Sequence, residues 1–488
     1  MLKLIKLVSL LTVILSFTTC IAQSKTKLIN KSNTQIDQYI AQIIDRYEIP
    51  GISLAVIKNG SIIHNNNYGK ANIEYNVPVS DKSIFRLYSL TKPIIATGVF
   101  QLIERNQLSL EDSISKYIQG LPNSWNSIQI KNLLSHSSGL PDIVKYEKLA
   151  ETEATEKVFN DSIRFKKGER FEYNQTNFWL LQKIVEKLSK QNIEKFIIEN
   201  QFDKQTTNKN IFFSTDSRDI ILNRATPYFY YSTGQIQIDC PNNGNYLNSC
   251  NGINITMDEF ILWDKRFNNN KLINTKSKGK MWEVFPYTNP EKKFTFGWDE
   301  RIINGHSSYG FSGARITAYR NFPKDNLSII FLANGIGKDF DIENIVNHIA
   351  YLIDTDIVDY GSLAFESLLK TAQNNISNFR NTFITLKNNP KYLNVNFEEQ
   401  LNNIGYTLLN ENKKNIKAAI IVFKTDTEEY PKSMYVFDSL GEAYEINKDF
   451  KNALLNYTKS RELNNDEDYR TKISRKIEEL KEIINAER

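Results

Sequence analysis

A chain of 488 residues, 41% hydrophobic and 24% charged, has the composition of a globular protein with room for more than one domain. Its net charge of +5 is small and dispersed, which excludes the basic stripe of a nucleic-acid-binding protein. The 4 histidines and 3 cysteines show no His-Glu-x-x-His or Cys-x-x-Cys spacing, and no P-loop or dinucleotide fingerprint occurs, so no metal and no other cofactor is expected.

In chain order, Lys3 and Lys6 precede an apolar run from Leu7 to Phe17, and Cys20-Ile21-Ala22-Gln23 follows. A basic start, a short apolar core and small residues at the exit predict a signal peptide over residues 1–22, cleaved after Ala22, and a secreted or periplasmic protein. The alternative is a lipoprotein anchored at Cys20, since Phe17-Thr18-Thr19-Cys20 has some features of a lipobox; membrane association is expected only in that case. If Cys20 leaves with the signal, Cys240 and Cys250 remain as an even pair. In an oxidising compartment they are expected to close the loop through Pro241-Asn242-Asn243-Gly244, contributing ~2–3 kcal/mol.

Ile84-Phe85-Arg86-Leu87-Tyr88 reads as an extended piece leading to Ser89-Leu90-Thr91-Lys92. Ile94, Ile95, Val99, Phe100, Leu102 and Ile103 then recur at helical spacing, and Pro93 falls in the first turn, where a missing N–H costs nothing. Ser89 and Lys92 therefore stand one turn apart at a helix start. A hydroxyl there can be activated by a neighbouring amine without a histidine. The same Ser-x-x-Lys spacing recurs at Ser24/Lys27, Ser113/Lys116, Ser277/Lys280 and Ser367/Lys370, but none of these opens a comparable helix after a strand.

Further along, Leu133-Leu134-Ser135-His136-Ser137-Ser138-Gly139-Leu140-Pro141-Asp142 predicts a turn at Gly139-Leu140-Pro141, with His136 in a structural role. Phe171-Glu172-Tyr173-Asn174-Gln175 leads into an amphipathic helix that ends near Lys190. Phe296-Gly297-Trp298, Gly305-His306-Ser307-Ser308, Ala314 to Tyr319 and Leu327 to Asn334 follow as strands and turns. No Gly-x-Ser-x-Gly elbow is present.

In this order and spacing, the segments of residues 31–352 resemble the serine β-lactamase-like superfamily. The resemblance is closest to the branch of class C β-lactamases, D-Ala-D-Ala carboxypeptidases, D-aminopeptidases and related esterases. It implies an α+β fold, an antiparallel sheet flanked by helices, and a serine hydrolase acting through an acyl-enzyme on an ester or D-amino-acid peptide amide. It also implies Ser89 as nucleophile, Lys92 as the group that takes or relays its proton, and Tyr173 as the second acid/base group. Gln175 stands where the Tyr-x-Asn motif has its amide, one methylene longer. His306-Ser307-Ser308 is matched to the third motif, Lys/His-Thr/Ser-Gly, on an edge strand lining the cleft. Ser308 replaces its glycine unless Gly310 or Gly313 takes that place in another register. The oxyanion hole would use the N–H of Ser89 and one near Tyr309.

The hydrolase domain is expected over residues 23–355, with a helical connector over 356–396. Ile404-Gly405-Tyr406 and Leu440-Gly441-Glu442-Ala443-Tyr444 place their glycines 36 residues apart, each followed by small and aromatic positions. This resembles tetratricopeptide repeats, an all-α module over 397–488. Two copies are too few to stand alone, so they are expected to pack on the connector or the hydrolase domain. The expected partners are a small-molecule or peptide substrate and a protein bound by the repeats. The alternative function is a non-catalytic protein that kept the cleft and recruits a partner through these helices.

Overall fold

The structure, a computed structural model, describes residues 33–202, 210–230, 236–290, 292–336, 341–410, 415–464 and 466–486. The leader segment and Cys20 lie outside the described residues. The chain divides into two compact units, residues 1–357 and 358–488.

The first unit is built on a seven-stranded antiparallel sheet. Its strands are β1 (Gly51–Lys58), β2 (Ser61–Asn72), β3 (Val77–Pro78), β4 (Asp299–Ile303), β5 (His306–Gly313), β6 (Thr317–Phe322) and β7 (Leu327–Ala333), in the spatial order β3-β2-β1-β7-β6-β5-β4. The chain leaves the sheet after β3 and returns at β4, so β1 and β7 become central neighbours.

Both central strands are buried along almost their whole length and mostly apolar, because both sheet faces are covered. Their side chains alternate between two cores. Ile52, Leu54, Val56, Ile329 and Phe331 pack with Ile36, Ile40 and Ile43 of α1 (residues 33–47) and with Ile345, Val346 and Ile349 of α5 (Ile342–Ile353). Ala55, Ile57, Ile330 and Leu332 face the opposite way. That second core is completed by α2 (Thr91–Glu104), α3 (Gln175–Ser189) and α4 (Met257–Asn268).

The helical recurrence of Ile94, Ile95, Val99, Phe100, Leu102 and Ile103 marks one apolar face, yet every residue of α2 from Thr91 to Leu102 is buried. Most of its polar groups find partners inside the core. Thr97 Oγ1 donates to Pro93 O at 2.8 Å, and Gln101 Nε2 reaches the Asn200 and Leu272 carbonyls at 3.1 Å. Gly98 lets the neighbouring helix Ile193–Gln201 approach; a Cβ there would lie 2.7 Å from Ile197 Cδ1.

The second unit is all-helical: α6 (Tyr360–Asn374), α7 (Phe379–Lys387), α8 (Phe397–Asn410), α9 (Ile416–Glu429), α10 (Met434–Ile446), α11 (Phe450–Leu463) and α12 (Glu467–Ala486). The connector helices share its core, since Phe365, Leu368, Phe379 and Phe383 cluster with Leu401, Ile404, Phe423 and Tyr457. The pairs α8/α9 and α10/α11 repeat one packing device. Gly405 faces the Phe423 ring and Gly441 the Tyr457 ring, each with its would-be Cβ inside contact distance.

Candidate active site

The strand Ile84–Arg86 ends in a sharp turn at Tyr88, whose φ of 51° is left-handed, and Ser89 follows within the short 3-10 turn Tyr88–Leu90 that opens α2. A non-glycine residue in this region is strained and persists only where its surroundings hold it. Here the Arg86 guanidinium lies 4.8 Å from the centre of the Tyr88 ring. The turn leaves Ser89 half-buried, and Lys92, one turn on, fully buried.

The sequence-predicted groups Ser89, Lys92, Tyr173 and Gln175 are brought together. Tyr173 OH donates to Ser89 Oγ at 2.7 Å, and Lys92 Nζ stands 3.5 Å from the same oxygen. Lys92 also donates to Gln175 Oε1 and to the Cys250 carbonyl, each at 2.8 Å. Three acceptors match the three N–H groups of an ammonium. Its nitrogen lies 4.8 Å from the centre of the Tyr173 ring.

Tyr173 is fixed from behind by His136. The His136 carbonyl accepts the Glu172 N–H at 2.9 Å, its Nδ1 lies 3.1 Å from the Asn174 nitrogen and 3.0 Å from Asn177 Nδ2, and its ring stands 4.8 Å from that of Tyr173. Two donors on Nδ1 require that nitrogen to be unprotonated. Burial, then the charges of Lys92 and Lys292, hold the imidazole well below its ordinary pKa. The ring is a neutral brace whose reach extends beyond the turn at Gly139 to the Tyr173 segment itself. Asp142 anchors the same segment, accepting the Gln175 N–H at 3.1 Å, and burial raises its carboxyl.

The third-motif residues are placed differently. Strand β5 alternates faces, and Tyr309, Phe311 and Gly313 point to the side of α2, whereas His306, Ser308 and Gly310 point away. His306 stands beside the β4–β5 turn with its Nδ1 2.9 Å from Asp325, and Ser308 Oγ donates to Arg301 O at 3.3 Å. Gly313 is the end that meets the serine turn; a Cβ there would lie 2.0 Å from Leu87 O and 3.0 Å from Tyr88 Cβ. Seven strand steps at roughly 3.3 Å put His306 about 23 Å away from that end. Ser307 shares the α2-side face but lies only one step closer. The expectation for His306, Ser307 and Ser308 is therefore corrected to the Gly313 register, which makes Phe311-Ser312-Gly313 the stretch beside Ser89.

Tyr309 is corrected as well. It pairs with Glu300 on one edge and Asn321 on the other, and its ring stacks on Trp282 at 4.3 Å. Strand β5 is not the edge strand; β4 is, but β4 ends opposite Gly310 and leaves the Phe311–Gly313 stretch without a partner on that side.

The cysteine pair does not form. Both thiols are free, with Cys240 exposed and Cys250 buried. The turn Asn248–Asn251 commits the Cys250 carbonyl to Lys92, its sulfur donates to Gln175 O at 3.4 Å, and burial pushes the thiol pKa up to about 11. No sequence signal marks a backbone carbonyl as a partner of Lys92. Phe311 was legible only through the Ser312-Gly313 that follows it. Among the described residues no group of His, Cys, Asp and Glu could hold a metal ion.

The family model for beta-lactamase matches residues 36–351. Protein flp of Staphylococcus aureus is 30% identical over 203 residues, 38% of this chain and 41% of its own length. Penicillin-binding protein 4* of Bacillus subtilis is 26% identical over 274 residues, 52% of this chain and 60% of its own. The chain thus spans about two fifths to three fifths of these relatives. Among solved structures, the octameric penicillin-binding protein homologue from Pyrococcus abyssi superposes with a TM-score of 0.57 at 21% identity, covering 69% of this chain and 81% of that one. A sheet, a serine turn and a matched span that together take up most of the chain lead to one conclusion: it belongs to the beta-lactamase family of serine hydrolases.

Proposed function

We propose that the protein hydrolyses an ester or a D-amino-acid peptide amide through an acyl-enzyme on Ser89. The observation that carries this reading is the convergence of Tyr173 OH at 2.7 Å and Lys92 Nζ at 3.5 Å on one serine oxygen. Ser89 Oγ bonds to the substrate carbonyl carbon while its proton passes to the Tyr173 oxygen, once Tyr173 has given up its own proton, the Lys92 ammonium remaining beside it. Tyr173 returns a proton to the departing alcohol or amine as that bond breaks. Water then repeats the sequence and frees Ser89. The developing oxyanion faces the Ser89 N–H and the free edge of β5 near Gly313, which together supply fixed donors. Gln175 serves by holding the Lys92 ammonium. The test is steady-state hydrolysis of a 4-nitrophenyl ester. Lys92→Met and Tyr173→Phe should each lower kcat by about 10²–10⁴-fold with the fold retained by circular dichroism; rates near wild type would remove these groups from the mechanism.

The helical unit is read as two tetratricopeptide-like repeats that recruit a protein partner, supported by the matched Gly405/Phe423 and Gly441/Tyr457 contacts. Export to the periplasm or cell exterior, with cleavage after Ala22 or lipidation at Cys20, is supported by the sequence of residues 1–22. N-terminal sequencing of the exported protein tests it: a chain starting at Gln23 is expected, and an intact leader would contradict it.

A further inference from the structure

We infer that Phe311 restricts this site to neutral acyl substrates, esters without a carboxylate beside the scissile bond, and turns away the anionic D,D-peptides and β-lactams. The inference rests on Ser89 being the nucleophile.

Phe311 is the last side chain on the α2-side face of β5 before Gly313 meets the serine turn. Its ring lies 6.2 Å from Tyr173 with the planes 29° apart, and 5.9 Å edge-on to Phe294. Phe311 and Phe171 are half-buried and Tyr173 is 37% exposed, so the wall beside Ser89 presents aromatic carbon to whatever enters. A peptide that ends in a free D-amino acid and a β-lactam each carry a carboxylate one carbon from the scissile nitrogen. Removing that anion from water requires a fixed cation or several aimed donors.

Lys92 and His306 are engaged away from the Phe311 ring. Lys92 is buried, with its donors on Gln175, the Cys250 carbonyl and Ser89. Lys292 lies over the Phe171 ring at 4.8 Å and 6.0 Å from the centre of the Phe294 ring. His306 faces the other side of the sheet, against Asp325. A carboxylate placed against Phe311 would meet an aromatic ring in place of a cation. A neutral alkyl or aryl group gains contact area there.

The experiment compares two esters that differ only in charge, 4-carbamoylphenyl butyrate and 4-carboxyphenyl butyrate, on the full chain. Wild type should favour the neutral ester in kcat/KM by at least about tenfold, and Phe311→Lys or Phe311→His should narrow or reverse that ratio. Equal or faster turnover of the carboxylate ester by wild type would overturn the proposal. Loss of that preference in Lys292→Met would then assign the anion site to Lys292. Should neither ester turn over, fluorophosphonate labelling of Ser89 separates the two readings. A labelled serine overturns the ester assignment alone, and an unlabelled one overturns the nucleophile as well.

Discussion

At the scale of single residues, two groups that brace the candidate site, His136 and Asp142, are shifted toward their neutral forms by burial. His136 is the clearest case, since two donors occupy its Nδ1 and the low polarity around it keeps the ring neutral. In the unfolded chain an imidazole titrates near pH 6.5. Its folded value is lowered, so below about pH 6.5 the unfolded state takes up a proton that the folded state refuses. Stability from this group is complete above that pH and falls on acidification by up to ~1.4 kcal/mol per pH unit. Urea unfolding of wild type and His136→Asn at pH 5 and pH 7 should show a shallower pH dependence in the variant; equal dependences would mean that the ring protonates while folded. His64, whose pKa is also lowered by burial, contributes equally to both proteins and cancels.

Asp426, in α9, titrates in the opposite sense. It is fully buried with neither carboxyl oxygen partnered among the described residues, and burial, then Glu398, pushes its pKa up to about 8. The folded state keeps a proton that the unfolded chain gives up, so stability is full below about pH 4 and is lost as pH rises toward 8. Asp426→Asn should raise the Tm of the helical unit at pH 7.5 and change it little at pH 4, by scanning calorimetry. A Tm lowered at pH 7.5 would show that the carboxylate has a partner.

At the scale of elements, close approach decides which glycines matter. A methyl at Gly405 would lie 2.3 Å from the Phe423 ring, against 2.9 Å from Tyr457 at Gly441. Gly405→Ala should therefore destabilise by about 1–3 kcal/mol and more than Gly441→Ala, measured by urea unfolding. The converse order would mean that the first helix pair is the looser one.

Element geometry also explains what was legible in the sequence. Ser89 and Lys92 could be read because Pro93 marks a helix start at their spacing, whereas Tyr173 could be read only through the resemblance of Tyr173-Asn174-Gln175 to the Tyr-x-Asn motif. The third motif could not be placed, because β5 carries polar residues at both ends and only the tertiary fold shows which end meets Ser89. The helical recurrence marked only one apolar face of the buried helix α2 because Thr91, Thr97 and Gln101 are polar yet bonded inside the core. The Cys240–Cys250 expectation failed because Cys250 is buried with its sulfur on the Gln175 carbonyl while Cys240 is exposed, a difference in burial that the spacing of the two does not encode.

At the scale of the whole molecule, Ser89, Lys92, His136, Tyr173, Gln175 and Phe311 all belong to the unit ending at Ile357, together with both cores that flank the sheet. The central claim is that Ser89 is the nucleophile of this unit. Intact mass spectrometry after incubation with a fluorophosphonate tests it most directly. The account predicts one adduct on wild type, none on Ser89→Ala, and a reduced labelling rate in Tyr173→Phe. An adduct that persists in Ser89→Ala would place the reactive serine elsewhere, and a folded wild type that takes no adduct would contradict the hydrolase reading.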